Sequence, residues 1–138
     1  MGTVIRAGMM YLLVLAGMAV PAAAQSSPRS TVDGVYSAAQ ADRGEEVFVG
    51  VCGNCHSTTE FKGDDFDLAW SGRTLRDLFR LIRNTMPNDD PGGLSPQQYI
   101  DVVAYLLALN ELPTGEEDLA DDESLLRRIR IEKPGSAR

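Results

Sequence analysis

The chain has 138 residues and a formal net charge of −7, with 20 Asp and Glu against 13 Lys and Arg. That length suits one domain behind a short leader, and the acidic balance argues against nucleic acid or an anionic membrane surface as partners. Two cysteines and one histidine are present, so any chemistry that needs thiols or an imidazole falls on Cys52, Cys55 and His56.

The N-terminus reads as an export signal. Arg6 is the only charged side chain in residues 1–24, an apolar run follows from Met9 to Val20, and Pro21 precedes Ala22-Ala23-Ala24. This pattern predicts a signal peptide over residues 1–24, cleaved ahead of Gln25, and places the mature chain in the periplasm. The apolar run is shorter than the roughly 20 residues of a membrane span, so no stable membrane insertion is expected; an uncleaved anchor is the alternative. Residues 25–35 are polar, with Pro28 and Gly34 and no periodicity, and read as a flexible lead-in.

Residues 36–111 carry the periodic segments. Ser37 is the predicted N-cap of a helix whose stripe of Ala41, Gly44, Val47, Phe48 and Val51 leads straight into Cys52. The run Cys52-Gly53-Asn54-Cys55-His56 follows. Two thiols three positions apart can each add to a vinyl group of one haem, and the adjacent imidazole can bind its iron, so CxxCH reads as a c-type haem attachment site. Two haem-free readings compete. A structural zinc site would lack a fourth ligand of the usual kind, and no βαβ pattern surrounds the CxxC to suggest a redox disulfide.

Ser57 to Ser71 has Phe61, Phe66 and Trp70 without a clear period and reads as a loop around something apolar. Thr74 opens a second predicted helix, with Leu75, Leu78, Phe79 and Ile82 on one face and Arg76, Arg80 and Arg83 on the other. The arginine stripe reads as a solvated face or a basic docking patch. Met86 follows that helix, just before Pro87 and the turn-rich Asn88 to Gly93. Met1, Met9, Met10 and Met18 would leave with the signal, so Met86 is the one thioether left to fill the second axial position of an iron held by His56; the alternative is a core methionine filling a gap. Ser95-Pro96-Gln97-Gln98 carries a capping box with Pro at the first helical position. The third predicted helix runs from there through Tyr99, Val102, Val103, Leu106 and Leu107 to about Asn110. No strand is predicted.

Residues 112–138 form a charged extension, acidic from Glu116 to Glu123 and basic from Arg127 to Arg130. The charge order complements a helix dipole, and Leu125, Leu126 and Ile129 offer an apolar edge. A short helix folded back on the domain is expected, with a segment ordered only on a partner as the alternative.

From about Ser37 to Asn110 the chain resembles a class I c-type cytochrome, with a helix entering CxxCH, a middle helix ending in Met-Pro and a final helix. The resemblance implies an all-α cytochrome c fold, three main helices and long loops wrapped around one covalently attached haem. It implies Cys52 and Cys55 as thioether attachments of haem c, His56 and Met86 as axial ligands of the iron, and a close crossing of first and last helices at Gly44 and Phe48 with Leu106 or Tyr105. One departure stands out: many members place a proline soon after CxxCH whose carbonyl accepts the His ring N–H, and no proline lies between His56 and Pro87. Trp70 to Arg73 and the tail look like small cytochromes that accept electrons from periplasmic dehydrogenases. The function implied is a periplasmic one-electron carrier rather than an enzyme. Its partners are redox proteins, a periplasmic dehydrogenase or a terminal oxidase or reductase. The alternative is a haem enzyme or gas sensor with a vacant or displaceable sixth iron site.

Overall fold

In the computed structural model the described residues are 1–2 and 29–135. The predicted signal peptide and its cleavage point fall outside them. They run β1 (Arg29–Ser30), α1 (Ala38–Gly50), α2 (Asp64–Trp70), α3 (Leu75–Thr85), α4 (Pro96–Leu109), α5 (Glu123–Leu126) and β2 (Ile129–Arg130), with 3-10 turns at Thr31–Asp33, Cys52–Asn54 and Thr58–Phe61. The protein is mostly helical, as an all-α reading requires.

Side-chain caps mark where α1, α3 and α4 begin. Ser37 accepts from the Gln40 N–H at the start of α1, while Thr74 with Asp77 and Ser95 with Gln98 form capping boxes on α3 and α4. Each satisfies backbone donors that the first turn leaves without helical partners. The packing of α4 against α1 is the centre of the molecule. Tyr99, Ile100, Val103, Ala104 and Leu107 of α4 are almost wholly buried, and Phe48 of α1 packs into the same core. The crossing is close because residue 44 has no side chain: a Cβ there would lie 1.9 Å from the Asp101 carbonyl oxygen and 2.9 Å from the Tyr105 Cβ. The Phe48 and Tyr105 rings meet at 5.4 Å between centroids. The glycine and aromatic expected on the first helix thus cross the last helix at Asp101 and Tyr105. The buried Asp101 carboxylate is held by Arg43 (Nε to Oδ2, 3.2 Å) and by Gln97 (Nε2 to Oδ1, 2.7 Å), which satisfies a charge that would otherwise be costly at a helix contact.

Two parts of the sequence reading are corrected. Asp64–Trp70 is a helix, not loop. Asp64, Asp65 and Asp67 sit in its first turn, where acids complement the helix dipole, and Phe66 and Trp70 bury one edge. Two turns are too few to display a period. The lead-in is packed from Arg29 onward. β1 pairs with β2 in parallel, Arg29 beside Ile129 and Ser30 beside Arg130, so a two-stranded ladder exists where no strand was predicted. The Thr31 hydroxyl donates to the Glu132 carbonyl (2.8 Å) and accepts from the Glu132 N–H (2.9 Å). The Gln40 side chain, fully buried, makes the same reciprocal pair with the Leu119 backbone at 2.9 and 2.6 Å. Leu119, Leu126, Ile129 and Ile131 are buried. The C-terminal extension therefore lies back on the domain, with α5 in its middle, and closes a clasp with residues 29–37.

Candidate functional site

The end of α1 delivers the CxxCH run into a 3-10 turn. The Val51 N–H bonds to the Val47 carbonyl at 2.9 Å, and the Cys55 and His56 N–H groups both bond to the Cys52 carbonyl at 3.1 and 2.9 Å. This tight turn brings the two cysteines and the histidine round one carbonyl. Cys52 is half-buried against the core, whereas Gly53, Asn54 and Cys55 are exposed. No disulfide joins the two cysteines. Burial pushes the Cys52 thiol up from its ordinary value, the reverse of the lowered thiol pKa found in disulfide-exchange sites.

His56 leans on Phe61, ring edge to ring face at 5.3 Å, and Phe61 meets Phe48 at 5.8 Å. An aromatic row thus runs from the core of α1 to the imidazole. The His56 Nδ1 lies 3.1 Å from Oε2 of Glu60, and the other carboxylate oxygen, Oε1, accepts from the Ser57 N–H at 2.7 Å. The Ser57 N–H and then His56 hold the Glu60 carboxyl below its ordinary value.

Met86 follows the last residue of α3, half-buried, its N–H bonded to the Ile82 carbonyl at 2.8 Å. Its carbonyl accepts from the Tyr99 hydroxyl at 2.7 Å, and that hydroxyl accepts from the Leu94 N–H at 3.3 Å. One buried phenol on α4 therefore fastens both ends of the 87–93 loop. Helix α4 is the common support: it packs on α1, which leads into Cys52, and it anchors the carbonyl of Met86. No hydrogen bond or ion pair joins Met86 to the CxxCH turn among the described residues.

The arginines of α3 do not form a uniform solvated face. Arg80 pairs with Glu123 of α5 at 3.7 Å, and Arg83 lies over the Phe79 ring at 6.0 Å. The Arg76 Nε is buried with no partner among the described residues. Arg73 stacks over Trp70 at 4.5 Å, so these two side chains engage each other. Clefts beside Phe66, Asn110 and Ile131, and beside Val35, Leu119 and Leu125, are lined in part by the C-terminal extension and by no residue of the CxxCH turn.

Residues 39–106 match the family model described as cytochrome C oxidase, cbb3-type, subunit III. The match supports a c-type cytochrome. The matched segment runs from α1 through the CxxCH turn and Met86 into α4, and it leaves out residues 29–37 and the C-terminal extension. No curated protein and no solved structure matches the chain. A cytochrome c domain implies haem c with its iron and a part in electron transfer, as a carrier or as a subunit of an oxidase complex rather than an enzyme by itself. The residues present fit such a group. The donor set is right: two thiols and an imidazole on one turn. Cys52, Phe61, Ile82 and Leu94 are partly buried apolar side chains at the margin of the core, suited to a macrocycle. The unpartnered Arg76 Nε, on the helix that ends at Met86, is a buried donor of the kind that a haem carboxylate would satisfy. Among the described residues no helix is long and apolar enough to cross a membrane, and no group of three or more His, Cys, Asp and Glu is placed to hold a metal ion.

Two residues important to the site escaped the sequence reading. Tyr99 reads as ordinary core by its helical spacing, and nothing local reveals what its hydroxyl meets. Glu60 had a visible signal: Ser57-Thr58-Thr59-Glu60 has the spacing of a capping box, directly after His56.

Proposed function

We propose that the protein is a periplasmic one-electron carrier, in which Cys52 and Cys55 would hold one haem c through thioethers and His56 and Met86 would bind its iron. When bound, the haem supplies iron that takes up and releases one electron, at a potential raised by a thioether ligand. The chain's residues do the rest. The CxxCH turn fixes His56 beside the two attachment sulfurs. Tyr99 holds the backbone of Met86, and α4 braces both against each other, so that little needs to move when the charge changes. If His56 and Met86 both held the iron, substrate would find no open position, as a carrier requires and a haem enzyme or gas sensor does not.

Export through the predicted signal, and electron supply by a periplasmic dehydrogenase or delivery to a terminal oxidase or reductase, complete the reading. Exposed Gly53, Asn54 and the turn residues after Pro87 offer the ground where partners would meet the haem edge, through the small contacts typical of redox encounters. The observation that carries the proposal is the CxxCH turn with its imidazole set on a row of aromatics, inside a segment that matches a cytochrome family. Absorption spectra of the oxidised protein test it. A far-red band from sulfur–iron ligation is expected in the wild type and absent in Met86→Ala. A wild type without that band, whose iron takes up external ligands freely, would support the sensor or enzyme reading instead.

A further inference from the structure

The bond between the Glu60 carboxylate and the His56 ring has a consequence for the iron. A histidine that binds a metal through one ring nitrogen usually donates the other N–H to an acceptor, which fixes its tautomer and sets how basic it is as a ligand. Here no proline lies between His56 and Pro87 to offer the carbonyl that many c-type cytochromes use. The structure puts a carboxylate in that place. Glu60 Oε2 is 3.1 Å from Nδ1, and the carboxylate cannot swing freely because Oε1 is held by the Ser57 N–H at 2.7 Å. Ser57 is in turn the N-cap of the 3-10 turn Thr58–Phe61 that presents Glu60. The ring is pinned on another side by Phe61. With Nδ1 engaged, the free nitrogen is Nε2.

Building on the proposed ligation, we infer that Glu60 is a positioning residue that gives His56 an anionic hydrogen-bond partner and so draws the iron toward the ferric state. A carboxylate takes a larger share of the N–H proton than a carbonyl does, which makes the imidazole a stronger donor. Its negative charge also favours the more positive metal. Both effects oppose that of the Met86 thioether. The carboxylate is half-exposed, so water screens part of its charge, and the effect is a trim on the potential.

The test compares the wild type with Glu60→Gln, Glu60→Ala and the control Asp65→Asn, an exposed carboxylate without contact to His56. Gln keeps the acceptor for the Ser57 N–H, as capping boxes allow, so the turn should survive. The ferrous-to-ferric ratio is read at one fixed ambient potential, after intact mass has shown that the haem is attached. Glu60→Gln is expected to raise that ratio several-fold, Glu60→Ala at least as much, and Asp65→Asn scarcely at all. The proton resonance of the His56 ring N–H in the reduced protein should move in Glu60→Gln and stay in Asp65→Asn. Equal ratios and an unmoved resonance in haem-bearing Glu60→Gln would overturn the inference while leaving the carrier reading intact. A wild type that takes up no haem would overturn both.

Discussion

The helical centre from Ala38 to Leu109 and the terminal clasp are held by different means. The centre rests on apolar contact between α1 and α4, close enough at Gly44 to exclude even a methyl group. The clasp rests on side chains that copy backbone pairing: Gln40 with Leu119, Thr31 with Glu132, and the two-residue ladder of β1 and β2. Only the centre contains the CxxCH run, and the family match stops within it at residue 106. The groups proposed to meet the iron sit at the margin of a core made by two crossing helices, while residues 29–37 and the described part of the C-terminal extension, which carry none of them, secure that core from outside.

The two regions should therefore break differently. Gly44→Val pushes carbon into the Asp101 carbonyl and has no flexible neighbour to displace. A loss of about 3 kcal/mol or more is expected from such overpacking against backbone, with little folded protein and little haem incorporation. Recovery of a wild-type melting curve would mean that the crossing is looser than described. Gln40→Leu strikes the clasp by orphaning the buried N–H and carbonyl of Leu119. A loss of about 2 kcal/mol is expected from stranded backbone groups. The haem spectrum should persist, because the clasp contributes none of the proposed ligands; loss of the spectrum in a folded variant would tie the clasp to the site.

Acid should sharpen the same contrast more gently. The Asp118 carboxyl lies below its ordinary value because Ser37 donates to it and Arg43 faces it, and Asp77 does so because Thr74 donates to it through hydroxyl and backbone N–H. Both are carboxylates depressed by folding. Their contribution is complete above the unfolded carboxylate pKa of about 4 and is lost as pH falls through the lower folded values. Asp118 closes the clasp and Asp77 caps α3, so Asp118→Asn should flatten the acid limb for the clasp alone. Hydrogen exchange of Leu119 against that of α3 amides, followed from neutral pH downward, separates them. Equal acid sensitivity of both regions in wild type and variant would contradict this assignment.

Much of the centre was legible because it is local. The stripes of Leu75, Leu78, Phe79 and Ile82, and of Tyr99, Val102, Val103 and Leu106, repeat at helical spacing, and Ser95 with Gln98 marks the start of α4 four residues at a time. Cys52, Cys55 and His56 declare their chemistry by adjacency. The clasp was legible only in part: the charge order and Leu126 with Ile129 announced a short helix folded back on the domain, as α5 is, but Thr31 and Gln40 find backbone partners far along the chain and no periodicity records that. Arg76 shows the same limit from the other side. Helical spacing put it on the solvent face with Arg80 and Arg83, yet its Nε is buried, and spacing alone does not record how far a long side chain reaches.

The central claim is that one haem is joined to this chain through Cys52 and Cys55. The most direct measurement is the intact mass of the protein purified from a host with haem-attachment machinery, beside that of the Cys52→Ala, Cys55→Ala double variant. The wild type should carry the mass of a single haem, resistant to acid extraction, and the double variant none. A wild type at the bare polypeptide mass with two free thiols would contradict the account.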